Sequence, residues 1–250
     1  MKIATWNVNG IRAREVQLLD WITEERPDVV ALQEIKAPLD KVPESLCPHP
    51  DYWCTWHGTK AYSGVSLMVR RDFAEEEPGF VHPPFDFEER IVVTRLGDVT
   101  AASIYVPNGG KDFRAKVDFF QNLVAYAEEL RAAGRELLLL GDFNVTREER
   151  DVHPKERKPT AIGQRPEERE MLAELLDVGL VDLGRLHAPD DDRLFTWWAP
   201  WRNLRQRNIG WRIDYLLATP ALADASTSCR SLREVGTSDH APVVAELETG

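Results

Sequence analysis

Leu137-Leu138-Leu139-Leu140-Gly141-Asp142-Phe143-Asn144 runs an apolar stretch into a carboxylate and, two positions later, an amide. Side chains two apart share a face for as long as a strand continues. Partial burial raises the pKa of such an acid, which suits it to take a proton from water, with the neighbouring amide placed to orient that water. The same pair also fits an Asx-type turn, in which Asp142 and Asn144 only satisfy loop backbone. Trp6-Asn7-Val8-Asn9-Gly10 repeats the pattern with two amides and a glycine free to turn. Leu32-Gln33-Glu34 ends a third apolar run in an acid. Magnesium favours this kind of site, taking one or two carboxylates and keeping several waters. An isolated glutamate, by contrast, belongs at the surface.

Three further segments add complementary groups. Tyr105-Val106-Pro107-Asn108 ends a run in a phenol and an amide, both able to donate to a phosphoryl oxygen. Trp211-Arg212-Ile213-Asp214-Tyr215 puts an acid inside an apolar strand, where an unpaired charge is costly, so Asp214 needs a partner. Ser238-Asp239-His240 supplies one: a carboxylate on one imidazole nitrogen fixes the tautomer and favours the protonated ring. The other histidines, His49, His57, His82, His153 and His187, read as structural. Each segment is a weak signal alone. Together they hold a carboxylate base, a histidine-carboxylate pair, amide and phenol donors and an acid for a metal, the set that phosphodiester hydrolysis requires.

Many short strands and few helices must position these groups. Strands are expected at residues 2–6, 29–33, 52–56, 65–69, 91–96, 101–106, 137–140, 213–217 and 242–247. Helical faces are carried by Ile11, Leu18, Leu19 and Ile22, and by Phe113, Val117, Phe120, Val124, Ala127 and Leu130. A third helix starts at Pro166, with Glu167 and Glu168 in its first turn and Leu172, Leu175 and Leu176 on one face. Strict β-α alternation is absent, which favours two packed sheets with helices outside. With no linker or repeat, residues 1–250 read as a single domain. Residues 146–165 form a polar loop of the length usually reserved for function or disorder.

Composition limits the class. The 250 residues are 43% hydrophobic and 29% charged, an ordinary globular balance. No apolar run approaches the roughly 20 residues of a membrane span, and the start of the chain lacks the sections of a signal peptide, so a cytoplasmic protein is expected. Cys47, Cys54 and Cys229 show no pairing or metal-ligand spacing. A net charge of −11 argues against nucleic-acid binding unless the local patch matters more than the total, as screening over about 8 Å allows. Basic candidates are residues 155–158 and 201–207, each also compatible with plain solvated surface.

The six motifs, in this order from Trp6 to His240, resemble the exonuclease III and abasic endonuclease family of the endonuclease/exonuclease/phosphatase superfamily. The resemblance implies a four-layered α/β sandwich, two mixed sheets flanked by helices, acting on duplex DNA with abasic or blocked 3′ ends. It implies incision 5′ to the abasic site with associated 3′-5′ exonuclease activity, by a nucleoid-associated monomer using magnesium, with manganese able to substitute. Carried over by position, Glu34 holds the metal with Asn7 and Asp239 nearby, and Asn9 stands where several relatives have an aspartate. Asp142 positions or deprotonates the water, Asn144 orients it, and His240, held by Asp214, stabilises the phosphoryl oxygens together with Tyr105 and Asn108. Trp197 and Trp211 match aromatic positions that line a pocket for an extruded, base-free sugar, and Lys111 is a candidate for facing the duplex. The alternatives are a same-fold phosphodiesterase or phosphatase acting on a non-DNA phosphoester, and a DNA-binding module without activity.

Overall fold

The computed structural model describes residues 1–248. Twelve strands form two six-stranded sheets. In chain order they are β1 (Lys2–Asn7), β2 (Val29–Gln33), β3 (Tyr52–His57), β4 (Val65–Arg70), β5 (Phe80–Val81), β6 (Ile91–Leu96), β7 (Val99–Tyr105), β8 (Glu136–Asp142), β9 (Val181–Asp182), β10 (Asp214–Ala218), β11 (Ser226–Ser231) and β12 (Val243–Leu247). The first sheet runs β11-β12-β1-β2-β4-β3 and the second β5-β6-β7-β8-β10-β9. Each is mixed, with one parallel pair, β1/β2 and β7/β8 respectively. All nine expected strands form. The three unforeseen ones are two-residue pieces and β11, whose sequence Ser-Thr-Ser-Cys-Arg-Ser has no apolar alternation to reveal an edge strand.

Alternation along the strands builds three cores. Leu138 and Leu140 face the layer between the sheets, with Ile3, Ala31, Ala101 and Leu216. Leu137 and Leu139 face outward onto helices α2 (Phe113–Ala132) and α3 (Pro166–Asp177). A strand covered on both faces has no polar side, which is why four leucines run together. Ala4 and Trp6 pack outward against α1 (Ile11–Glu25). The order of layers is therefore α1, first sheet, second sheet, α2 with α3, as expected.

The helix faces differ in detail from their periodicity. In α2 the buried stripe is Lys116, Phe119, Phe120, Leu123, Ala127 and Leu130, while Val117 and Val124 lie at its margin. In α3 it is Glu168, Met171, Leu172 and Leu175. Both stripes begin with a charged residue that a hydrophobic pattern assigns to solvent. Lys116 Nζ and Glu168 Oε1 lie 2.5 Å apart with both side chains fully buried, so each charge supplies the other's partner. Residues 146–165 also carry order, two short 3-10 turns at Glu149–Asp151 and Pro154–Glu156. Asp151 ties the segment inward, accepting from Arg185 at 2.6 Å and Arg212 at 2.8 Å.

Candidate active site

Tyr105, Asp142 and Asp214 are lateral neighbours on β7, β8 and β10, one row across the end of the second sheet. Each continues the alternation that faces the first sheet. From that sheet Asn7 arrives at the end of β1, beside Gln33 on β2. One amide then links two acids across the interface: Asn7 Nδ2 donates to Asp142 Oδ2 at 2.9 Å and to Glu34 Oε1 at 3.1 Å. Gly141 allows the row to close, because a Cβ there would collide with the backbone carbonyl of Ile104 on β7. The turns that follow are strained: Asn9, Glu34, Lys36 and Asn144 have φ of 45°, 51°, 50° and 53°. Asparagine tolerates this region, but Glu34 and Lys36 each give up about 1–3 kcal/mol to hold it, as residues at functional sites often do.

His240 comes from the loop before β12. Its Nδ1 donates to Asp214 Oδ2 at 2.9 Å, which leaves Nε2 facing Asp142 Oδ2 at 3.9 Å. That gap is too wide for a direct hydrogen bond and wide enough for one oxygen to bridge. The segment is held on several sides. Ser238 Oγ donates to the Asn7 carbonyl at 2.7 Å, and Trp6 Nε1 donates to the His240 carbonyl at 3.2 Å. The Arg205 guanidinium donates to the carbonyls of Arg233, Val235, Ser238 and His240. Arg205 belongs to the basic stretch 201–207, so one of that patch's cations serves the protein's own backbone, while Trp201 stays exposed.

Burial sets the protonation states. Complete burial raises the Asp142 carboxyl; the positive His240 opposes the rise, Asp214 and Glu34 add to it, and the result is about 7. Burial disfavours the His240 imidazolium, but Asp214, its hydrogen bond, Asp142 and Asp239 outweigh that and bring it to about 10. Glu34 is lowered despite burial, chiefly by Lys36, whose Nζ lies 2.6 Å from Oε2. Burial raises the Tyr105 phenol well above its usual value, and Glu34 adds to this. Tyr105 is therefore a donor, bonded to Glu34 Oε1 at 2.8 Å, and the buried Arg90 lies 4.7 Å below its ring.

Glu34, Asp142 and His240 offer ligand atoms all within 4.8 Å of one another. With His240 protonated, the remaining donors are carboxylate oxygens, which suit a hard ion, so the residues fit a magnesium-like cation with Glu34 as its holder. The other residues expected at the metal are engaged with one another. Asn7 Oδ1 accepts from the Asn9 amide at 3.0 Å. Asn9 Nδ2 donates to Asp239 Oδ1 at 2.7 Å, and Asn9 Oδ1 accepts from Lys36 at 2.6 Å. Asp239, lowered by His240 and these donors against the effect of burial, also accepts from Trp197 Nε1 at 3.1 Å.

A cavity of about 310 Å³ opens over this row, lined by Glu34, Tyr105, Asp142, His240, Trp197 and Trp211 among others. The indoles meet edge to face at 5.2 Å, and their backbones exchange hydrogen bonds at 2.8 and 2.9 Å. Asn108 and Asn144 line the same space. Asn144 reaches Asp142 through its backbone N–H, at 2.9 Å to Oδ1; its side chain accepts from Asn108 and donates to the Val106 carbonyl. Lys111 is exposed and outside the lining. Sequence reasoning missed Lys36, Arg90 and Tyr62, whose side chain lines the cavity and accepts from Arg90 at 3.4 Å. Lys36 had a readable signal, a cation two positions after Glu34; Arg90 and Tyr62 sit in irregular segments and had none.

The endonuclease/exonuclease/phosphatase family model matches residues 4–240. The chain is similar to the DNA repair nuclease APEX1 of Danio rerio, 33% identical over 97% of this chain and 81% of that protein. Among solved structures it resembles a 3′-5′ exonuclease, NExo, from Neisseria meningitidis, with a TM-score of 0.90 and 32% identity over the whole of both chains. It also resembles an AP endonuclease from Archaeoglobus fulgidus, with a TM-score of 0.88 and 28% identity, again over the whole of both.

Proposed function

Because the chain belongs to the endonuclease/exonuclease/phosphatase family, we propose that this cleft cuts duplex DNA 5′ to an abasic site with magnesium bound, and trims 3′ ends in the same place. The protein is a DNA repair nuclease, a hydrolase of phosphodiester bonds. The observation that carries the finer reading is the 3.9 Å gap between Asp142 Oδ2 and His240 Nε2, within a cavity walled by Trp197 and Trp211. A base-free sugar leaves the stack at low cost and fits against an indole wall where no base has to be read. We take the enzyme to act as a monomer on the cytoplasmic nucleoid.

The side chains divide the work. Asp142 accepts the proton of the attacking water, held in place by Asn7 and by the Asn144 amide. His240, charged and fixed by Asp214, donates from Nε2 to a phosphoryl oxygen where negative charge builds up. Tyr105 keeps Glu34 aligned. A hard divalent ion held by Glu34 supplies charge neutralisation at the phosphate. Asn108 and the indoles seat the sugar and its phosphate.

Incision of a duplex oligonucleotide bearing one abasic site, with and without EDTA, tests this reading. Cleavage should need the added ion and fall sharply in Glu34→Ala. Undiminished cleavage in EDTA would rule out the mechanism, and turnover of a soluble phosphoester without incision would favour the non-DNA alternative.

The protonation states add a pH signature. The base works only when ionised, so kcat/KM should rise with pH through about 7, the value for Asp142. The donor works only when protonated, so activity should fall through about 10, the value for His240. The two limbs belong to the pair as a unit. A profile that peaks below pH 6 contradicts these assignments.

A further inference from the structure

His57, His82 and Asp86 lie outside the active site, and their ligand atoms all fall within 4.8 Å of one another. His57 is the last residue of β3 and His82 follows β5. These are the edge strands of the first and second sheet, so the cluster spans the junction of the two sheets on one side of the molecule. His57 Nε2 is 2.5 Å from Asp86 Oδ2, and the two imidazoles stack with centroids 3.6 Å apart at 23°.

The remaining hydrogen bonds hold His82 and Asp86 from behind. His82 Nδ1 donates to the Ile91 carbonyl at 3.2 Å, which fixes the tautomer with a bare Nε2. Asp86 Oδ1 accepts from the backbone amides of Arg90 and Ile91 at 2.8 and 3.1 Å, which leaves Oδ2 to face His57 Nε2. A backbone carbonyl behind a histidine and backbone amides behind a carboxylate are the supports that metal-ligating side chains usually have. His82 is exposed, which provides an entry path, and His57 and Asp86 are partly buried behind it.

We propose that His57, His82 and Asp86 form a second cation site, for a divalent transition ion of the zinc class, which staples the open edges of the two sheets. Two imidazole nitrogens and one carboxylate oxygen suit zinc, cobalt or nickel and are unsuited to magnesium, which takes oxygen. Bonds of about 2.0–2.1 Å in a tetrahedral site separate ligand atoms by roughly 3.3 Å. His57 and Asp86 therefore part slightly while the exposed His82 swings in, and water takes the fourth position. On binding, the His57 proton moves from Nε2 to Nδ1 by exchange with water, so the neutral ring turns its Nε2 lone pair to the ion. The role is structural. Asp86 already anchors the backbone of Arg90, whose side chain underlies Tyr105, so the staple stiffens one wall of the cleft without entering the reaction.

The test titrates Co²⁺ into the full chain carrying Glu34→Ala, which removes the active-site ion. One equivalent should bind and give the visible bands of tetrahedral cobalt, and Zn²⁺ should displace it and raise Tm. Adding His82→Ala should weaken Co²⁺ binding by more than the roughly 10- to 100-fold typical of losing a mere outer partner. It should also abolish the Tm rise with Zn²⁺, while Tm in EDTA stays that of the parent because the side chain is exposed. His82→Ala in the otherwise native chain should leave magnesium-dependent turnover unchanged. Absence of tetrahedral bands, or equal Co²⁺ affinity with and without His82, overturns the proposal.

Discussion

Asp142→Asn should cut abasic-site incision by at least about a hundredfold, the scale for removing one group that acts in the transition state, without lowering Tm. The reasoning starts from the charge. Asp142 is buried beside Asp214 and Glu34, and its carboxyl is raised to about 7. In an unfolded chain the same group ionises near 3.9. An acid whose pKa rises on folding costs the fold stability as the pH climbs from the unfolded value to the folded one, and above both the folded chain holds an unwelcome anion. Asparagine keeps the shape and removes the anion, so Tm at neutral or higher pH should hold or rise while turnover disappears. His240→Ala should lose activity on a similar scale but for a different balance of reasons. It strips Asp214 of the imidazolium at 2.9 Å and leaves a buried carboxylate unpaired, so Tm should drop as well. Circular dichroism melts beside single-turnover incision separate the two variants. The double variant should be little worse than either single one, since the groups act as a unit. Asp142→Asn with near-native incision would mean that Asp142 is not the base.

The strand ends were legible because burial on one face leaves a parity that carries past the last apolar residue. Leu138 and Leu140 face the first sheet, so Asp142 does too, and the same step takes Ile3 through Thr5 to Asn7. The sequence therefore shows that the chemistry-bearing side chains leave strands on a common side. It does not show that β7, β8 and β10 lie adjacent with Tyr105, Asp142 and Asp214 in register, because pairing is set by long-range topology. The Asp214–His240 pair was foreseen from cost alone: an acid in an apolar strand needs a partner, and Ser238-Asp239-His240 was the candidate.

The interior cations were not legible. Arg90, Lys116, Arg205 and Arg212 all serve the protein's own acids or carbonyls. Hydropathy assigns such residues to solvent, and a sequence carries no mark of which ones have an internal partner, two residues away for Arg90 and tens of residues away for the other three. Arg212 lies inside one of the six motifs, yet its guanidinium is spent on Asp151 and Asp182, at 2.8 Å each, holding residues 146–165 against the body. His57 and His82 were read as structural for the same reason. Their contact depends on two sheet edges meeting, and nothing between residues 57 and 82 announces it.

Lys116→Met should destabilise the protein by about 3–5 kcal/mol, the cost of leaving one member of a buried ion pair alone. The ammonium sits at a node. It donates to the carbonyls of Asn108 at 3.1 Å and Asn144 at 2.8 Å and to Glu168 at 2.5 Å, while Glu168 Oε2 accepts from the amides of Gly163 and Arg165 at 2.7 and 3.2 Å. Two of these residues, Asn108 and Asn144, carry their amides into the cleft, and Gly163 lines it. Burial pushes the lysine pKa down, with Glu168 pulling the other way, so the pair depends on its partner more than a surface bridge would. Glu168→Gln should cost less, because an amide oxygen can still accept from two backbone N–H groups. The double variant should be less damaging than the sum of the single ones, since it leaves no lone charge. Turnover measured well below Tm should also fall in Lys116→Met, mainly as higher KM for abasic duplex, because loosened Asn108 and Asn144 seat the phosphate less well. Urea melts of the four-member cycle supply the coupling energy; additive losses would mean that the two side chains are neighbours without being a pair.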